Sequence, residues 1–494
     1  MGEQLLRLLL YADDLALLAS SAAQLHRLLS ALHEFCVEYD MEVNVAKTEI
    51  VIFGRREYDK LDRLQGRWRY NGQPVPVSKE FKYLGVVLHC TKGVAAAVPT
   101  LAAAGRRAMW AMLQKVGKLD LQSLHQKVVL FDALVVPILS FCCDVWAPDV
   151  LSASLGSLGC LDNELQRVQM LFLRCIAGGV RKSTPRFLLL RELGCSPLVR
   201  GWFRSMLGFW NRVASSRPEG LLYQCLVEDL RLHNVVSYGV KSWCHQFCKV
   251  LQHVGIETSQ LMVEHDGRPL PQQLNLSTCM NTFDDWFLRI WSDLPPDPRS
   301  APSHQVVYSV YDQWFASAKM CDLEDEAKFS TCPRHVLRTA GINTAHVASL
   351  LRFRLGAHDL PVVTCRWGVD LNTRQRVPRQ NRQCQHCSSG AVGDEFHMVF
   401  ECGFYDQVRS RFSQLFERFG GHTSLTLSTS AAGPSMSDFM GQDRRLVAAF
   451  IHTCWLYRCN PALSLHLVHE LSGSDVDVES DDILQVELAE LLPD

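Results

Sequence analysis

The feature that most constrains this chain is the stretch Leu5–Ser20, LLRLLLYADDLALLAS, where two adjacent acids interrupt an otherwise apolar run. Apolar residues on both sides predict two buried strands. Ala12-Asp13-Asp14 predicts the tight turn between them, because turn positions accept Asp readily. Two carboxylates side by side repel each other, so the pair calls for a proton or a cation. At the tip of a hairpin they suit magnesium, a hard cation that takes one or two carboxylates together with phosphate oxygens. The plain alternative for the same residues is an acidic turn facing water.

Three further stretches follow. Leu25, Leu28, Leu29, Leu32, Phe35 and Cys36 recur at helical spacing. Met41–Gly54 alternates strongly, which predicts strands around a turn at Ala46-Lys47-Thr48, and Lys79–Leu88 is strand-like. In this order the stretches resemble the reverse transcriptases. Tyr11-Ala12-Asp13-Asp14 is similar to their motif C tetrad, Asn44-Val45-Ala46-Lys47-Thr48 to motif D, and Phe81-Lys82-Tyr83-Leu84-Gly85-Val86 to motif E, the primer grip. Together they resemble the C-terminal half of the reverse transcriptase of a non-LTR (LINE-type) retrotransposon, a transposable element.

The resemblance implies RNA-directed DNA polymerisation, a nucleotidyl transfer in which two magnesium ions stabilise the attacking and leaving oxygens. It makes Asp13 and Asp14 magnesium ligands, Asp13 the more direct. It makes Lys47 the proton donor to pyrophosphate, and Tyr83, Leu84 and Gly85 the holders of the primer end. The plain alternatives are an exposed turn lysine and an ordinary buried strand. The partners implied are an RNA template and a DNA primer or target, with no membrane and no small-molecule cofactor. The compartments implied are nucleus and cytoplasm. The family also places fingers and a motif A Asp ahead of the hairpin. Ten residues precede Tyr11, and Glu3 is their only acid. The expectation is therefore a C-terminal fragment that is inactive alone, and the rival expectation is a non-enzymatic nucleic-acid-binding remnant. With no motif A strand beside it, the hairpin leaves an apolar edge, so residues 1–90 are expected to be marginally stable by themselves.

The formal net charge is −2, which excludes a bulk positive field, but the charges are segregated. Residues 100–215 hold 14 Lys and Arg against 7 Asp and Glu, residues 352–382 hold 7 Arg against 2 Asp, and residues 473–494 hold 8 acids and no base. In the basic stretches Arg181, Lys182 and Arg186 are candidates for sequence-blind contacts to template phosphate; a solvated loop between helices is the alternative. The 19 cysteines sit mostly singly in apolar runs with no secretory signal, which points to a reducing intracellular compartment rather than a disulfide framework.

One cysteine group is different. Cys384 and Cys387, two residues apart, are followed after nine residues by His397 and after four more by Cys402. Two short-spaced pairs of thiolate and imidazole ligands flanking a loop suit a closed tetrahedral zinc site. Four unrelated buried residues are the alternative, and His386 is a competing ligand at a poorer spacing. The order of ligands and the Arg-rich lead-in resemble the zinc-knuckle region of LINE-type proteins. Arg374, Arg376, Arg379 and Arg382 would then give the knuckle a basic approach to phosphates. Few apolar residues other than Phe396, Met398, Val399 and Phe400 lie in the segment, so its folding is expected to depend on the metal. Cys244-His245 with Cys248 has ligand-type residues but no second pair, and reads as a helix with core cysteines.

The expected fold is α+β: a truncated reverse-transcriptase palm, then a mostly helical thumb and connector, then a small zinc-bound module. The expected divisions are 1–90 (partial palm), 91–257 (helical thumb and connector), 258–305 (Pro-rich linker with a short helix), 306–418 (helical region with the zinc knuckle) and 419–494 (linker, amphipathic helix, acidic tail).

Overall fold

The computed structural model describes residues 7–53, 66–155, 162–182, 184–235, 242–265, 268–293, 311, 314–315, 342–365, 368, 376–429 and 433–460. The acidic tail, Arg374 and Pro295, Pro296, Pro298 and Pro302 lie outside the described residues. The class is α+β, with small two-stranded sheets near the N-terminus and a large helical body after them.

Leu8–Tyr11 pairs antiparallel with Asp14–Leu17, Leu8 opposite Leu17 and Tyr11 opposite Asp14. The turn is therefore Ala12-Asp13, with Ala12 at φ 51°, and Asp14 opens the second strand. The hairpin is exposed rather than buried: Leu8 is 46 % exposed, Leu10 65 % and Tyr11 64 %. The physical reason is that no third strand pairs with it among the described residues. Alternation then leaves Leu8, Leu10 and Leu15 on one uncovered face.

Ala22–Glu38 is a helix, as its spacing predicts. Ser21 caps it by accepting from the Gln24 N–H, and it buries Leu29 and Cys36. The predicted strand pair around Lys47 is different. Asn44 accepts from the Lys47 N–H and closes a short 3-10 turn at Val45–Lys47, so that Ile50–Val51 alone is strand, parallel to Val77–Ser78. A small core gathers here from Leu29, Ile50, Trp68, Tyr70, Val75, Val77 and Cys90. Glu80–Tyr83 and Val86–His89 form the last hairpin of this part.

A second, far larger core runs from Ala97 to Cys454. Helix Ala97–Lys118 packs on Glu164–Ile176, while Cys143–Ser154 packs on both Leu198–Ala214 and Trp243–Val254. Aromatic pairs fill the contacts: Trp146 meets Trp202 edge-on at 5.0 Å, and Trp210 stacks on Phe247 at 5.0 Å. Cys244 and Cys248 lie inside this core. Residues 258–305, read from sequence as a Pro-rich linker with a short helix, hold a hairpin at Met262–Pro271 and a longer, 18-residue helix, Leu276–Asp293, that buries Phe283 and Phe287. Burial of that aromatic island outweighs the prolines near it. The Gly/Ser/Thr-rich stretch after Gly420 likewise carries two short helices, Ser424–Ser428 and Met436–Met440, anchored by Leu427 and Met436.

The large core does not stop at the cysteine-rich stretch. Met398, Val399 and Phe400 are buried in it, and Phe400 packs near Phe416, Phe419 and Phe439. The zinc-dependent module expected from a short segment is thus one corner of a common core, and its apolar residues find partners from residues 404–454. No helix among the described residues is long and apolar enough to cross a membrane.

Candidate metal centre and nucleic-acid surface

The chain reverses between Cys384 and His397. The Cys384 N–H donates to the Ala391 carbonyl at 2.8 Å, and the Gly393 N–H donates to the Arg382 carbonyl at 2.9 Å. Gly390 turns at φ 69°. At Gly393 a Cβ would meet Pro361 Cγ at 2.7 Å, so only glycine allows this close approach. The Asp394 carboxylate then accepts from the His397 N–H at 3.0 Å and starts a five-residue π-helical turn, His397–Glu401.

This path brings four ligand atoms together, all within 4.8 Å of one another. Cys384 Sγ lies 3.7 Å from Cys402 Sγ, and Cys387 Sγ lies 3.3 Å from His397 Nε2. Around a tetrahedral zinc with Zn–S near 2.3 Å and Zn–N near 2.0 Å, sulfur–sulfur edges of about 3.8 Å and sulfur–nitrogen edges of about 3.5 Å are expected. Donor chemistry and spacing both fit zinc. His397 Nδ1 meets the Glu401 carboxylate at 3.0 Å, the outer hydrogen bond that fixes the tautomer of a metal-binding histidine. The contact with Cys402, then bonds from His397 and the backbone, lowers the Cys384 thiol, and the same contact raises Cys402, so the two sulfurs share one ionisation. Burial would lower His397, but its bonds to Cys384, Glu401 and Cys387 override this and raise it to about 10. His386 stands apart, its ring packed against Phe404 at 4.5 Å. Cys365 is also outside the group.

Asp13 and Asp14 stand exposed at the hairpin tip, with oxygen donors open to solvent. Among the described residues the cysteine–histidine group is the one cluster of three or more metal-type ligands, so no third ligand joins this pair there. Lys47 is exposed on its 3-10 turn. Leu84 and Gly85, at φ 46° and 88°, form the two-residue turn of the Glu80–His89 hairpin. A Cβ on Gly85 would lie 3.0 Å from the Phe141 ring, which therefore abuts this turn.

Most of the candidate phosphate contacts are engaged elsewhere. Arg181 pairs with Asp359 at 3.0 Å and Arg186 with Asp162 at 2.8 Å. Arg379 pairs with Asp394 at 3.3 Å. Arg382 donates to the carbonyls of Val362 and Val377 and so fastens the loop. Lys182 and Arg376 are exposed. Sequence reading missed a better basic surface. Helix Ala97–Lys118 buries Leu101, Met109, Met112 and Val116 on one side. Arg106, Arg107, Lys115 and Lys118 stand exposed away from that buried stripe, with no ion pair among the described residues. The signal was present as basic residues between the apolar positions of that stripe. Glu401 was equally legible, four residues after His397.

The site features are thus a hairpin tipped by paired carboxylates, a second hairpin with a tight turn, and a cysteine–histidine group with metal-ligand spacing. The family model described as reverse transcriptase (RNA-dependent DNA polymerase) matches residues 3–88, a span that takes in the Tyr11–Asp14 hairpin and all but the last residue of the Glu80–His89 hairpin. No curated protein and no solved structure matches the chain.

Proposed function

We propose that this chain is a nucleic-acid-binding polypeptide of the non-LTR (LINE-type) reverse transcriptase kind, which grips a primer–template and carries a zinc-closed knuckle in its helical body. The observation that carries the reading is the family match over residues 3–88 together with the Tyr11–Asp14 hairpin inside it. Asp13 and Asp14 are the residues that would hold magnesium, which when bound supplies the charge that stabilises the reacting phosphate oxygens. Lys47 stands exposed nearby in sequence as the proton donor, and Tyr83, Leu84 and Gly85 form the turn that meets the primer end. Cys384, Cys387, His397 and Cys402 hold the zinc, supported by donor set and spacing. Phosphate contact is made by the basic side of Ala97–Lys118, with Lys182 and Arg376 adding exposed charge. Arg181, Arg186 and Arg379 contribute only by exchanging their carboxylate partners for phosphate.

The rival reading, a binding remnant without catalysis, draws on the exposure of Asp13 and Asp14, which no third metal-type ligand joins among the described residues. Both readings share the nucleic-acid surface, and its test is direct. The intact chain is titrated against an RNA–DNA duplex with a recessed primer end, by fluorescence anisotropy over a range of salt. Binding is expected to weaken steeply with salt, and the double variant Arg107→Ala/Lys118→Ala to lower the salt slope by about 2, roughly 1 per phosphate contact. Absence of binding at low salt, or a slope unmoved by the double variant, contradicts the proposal.

A further inference from the structure

Arg409 lies seven residues beyond Cys402 and is fully buried, 0 % exposed. A guanidinium offers five N–H donors in a fixed planar fork, and here the contacts number five. Nε donates to the His422 carbonyl at 3.2 Å. Nη1 donates to the carbonyls of Met398 at 3.3 Å and Val399 at 3.2 Å. Nη2 donates to the Cys402 carbonyl at 2.6 Å and to the Asp406 carboxylate. Two of these acceptors lie between His397 and Cys402, and a third is the carbonyl of Cys402 itself. At the end of the π-helical turn His397–Glu401, the His397 carbonyl accepts from the Cys402 N–H at 2.8 Å and the Cys402 carbonyl from the Tyr405 N–H at 3.0 Å, which leaves the Met398 and Val399 carbonyls to Arg409 among the described residues. Burial makes such groups costly unless a donor is supplied. Asp406 is fixed in turn, since its carboxylate also accepts from the Ser424 N–H at 2.9 Å.

We propose that Arg409 is a positioning residue of the metal centre: by collecting the carbonyls of Met398, Val399 and Cys402 it sets the turn that brings His397 Nε2 and Cys402 Sγ to one point. The inference rests on the zinc reading above and extends it to a residue that touches no ligand atom. Lysine has three donors and no plane, and methionine has none. Each therefore leaves carbonyls of the turn without partners while filling comparable volume.

The intact chain and its R409K, R409M and D406N variants are titrated with cobalt(II) as a probe for zinc, followed by the visible bands of tetrahedral thiolate-bound cobalt. Melting curves are recorded on the same samples. The wild type is expected to bind one cobalt. R409K and R409M are expected to bind it about 10–100-fold more weakly, with altered band positions, the usual loss when outer partners of a metal site are removed. D406N retains most hydrogen bonds of the cluster and is expected to fall between. If R409M does not fold, R409K and D406N carry the comparison. Variants that melt earlier but bind cobalt with wild-type affinity and bands overturn the role of Arg409, leaving it structural. A wild type that binds no cobalt removes the metal reading itself, a distinguishable outcome.

Discussion

Arg354 enters the interior as an ion and survives there because everything around it is arranged as its partner. Its guanidinium meets Glu192 at 2.9 and 2.8 Å, the Tyr311 hydroxyl donates to the same carboxylate, and the Phe315 ring lies 5.2 Å from the charge. The pair is almost fully buried, 4 % and 0 % exposed. Breaking one half leaves the other charged and dry, so Glu192→Gln or Arg354→Met is expected to cost about 3–5 kcal/mol, while Glu192→Leu with Arg354→Met costs much less than the sum. Urea melts of the three variants check this; additive losses would contradict it. Nothing in the sequence announces the pair, whose members lie 162 positions apart. The cysteine–histidine group is the opposite case. Cys384, Cys387, His397 and Cys402 were legible because ligand chemistry forces short spacings, whereas Arg409 was not, because backbone carbonyls have no sequence signature.

At the scale of elements, periodicity located the helix Ala22–Glu38 and the apolar runs around Asp13 and Asp14 located the first hairpin, while residues 79–88 read only as strand-like and the alternation of residues 41–54 did not give a strand pair. What the apolar runs did not show was exposure: an apolar strand is buried only if something covers it, and the Leu8–Leu17 hairpin lacks that neighbour among the described residues. The turn Leu84-Gly85 gives a sharper test. Gly85 has φ 88° and the Phe141 ring beside it. Gly85→Ala is expected to destabilise the hairpin by about 1–2 kcal/mol, and Gly85→Ala with Phe141→Ala to recover the steric part while keeping the backbone strain. Hydrogen exchange of the Lys82 and Val87 amides reports this, and equal exchange in all forms would argue against it. A second element-scale prediction concerns the packing of Thr344–Arg354 on Arg444–Cys459. There the His452 Nδ1 lies 2.8 Å from Ser349 Oγ, and His346 is 4.8 Å away ring to ring. Burial, and then the neighbouring His346, push His452 down to about 4; burial lowers His346 as well. A depressed histidine stabilises the fold fully above the unfolded value near 6.5, and that stabilisation is lost as pH falls towards 4. Stability is expected to drop over that window by at most about 1.4 kcal/mol per pH unit per histidine, and His452→Gln to flatten the drop. A pH profile unchanged by that substitution would refute the assignment.

At the scale of the molecule, two cores of unequal size meet where Val86 packs against the large one and Phe141 abuts the Leu84-Gly85 turn. The α+β class was legible from the order of patterns. The extent of the second core was not, because Phe283, Phe287 and Phe400 sit in stretches whose local composition reads as linker or small module. The same architecture bears on activity. On the binding-remnant reading proposed above, this polypeptide is expected not to extend a primer with magnesium, since electrostatic positioning supplies most of phosphoryl transfer and Asp13 and Asp14 stand exposed at the hairpin tip. Template-dependent incorporation that Asp13→Ala abolishes would overturn that expectation.

On the proposed reading Cys384 and Cys387 meet His397 and Cys402 on one zinc ion, and counting that ion is the most direct test. The intact chain is purified without added metal and its zinc measured per polypeptide. About one zinc is expected, lost on Cys402→Ser and on His397→Ala but kept on Cys365→Ser and on His386→Ala. No zinc in the wild type, or loss on His386→Ala with retention on His397→Ala, would contradict it.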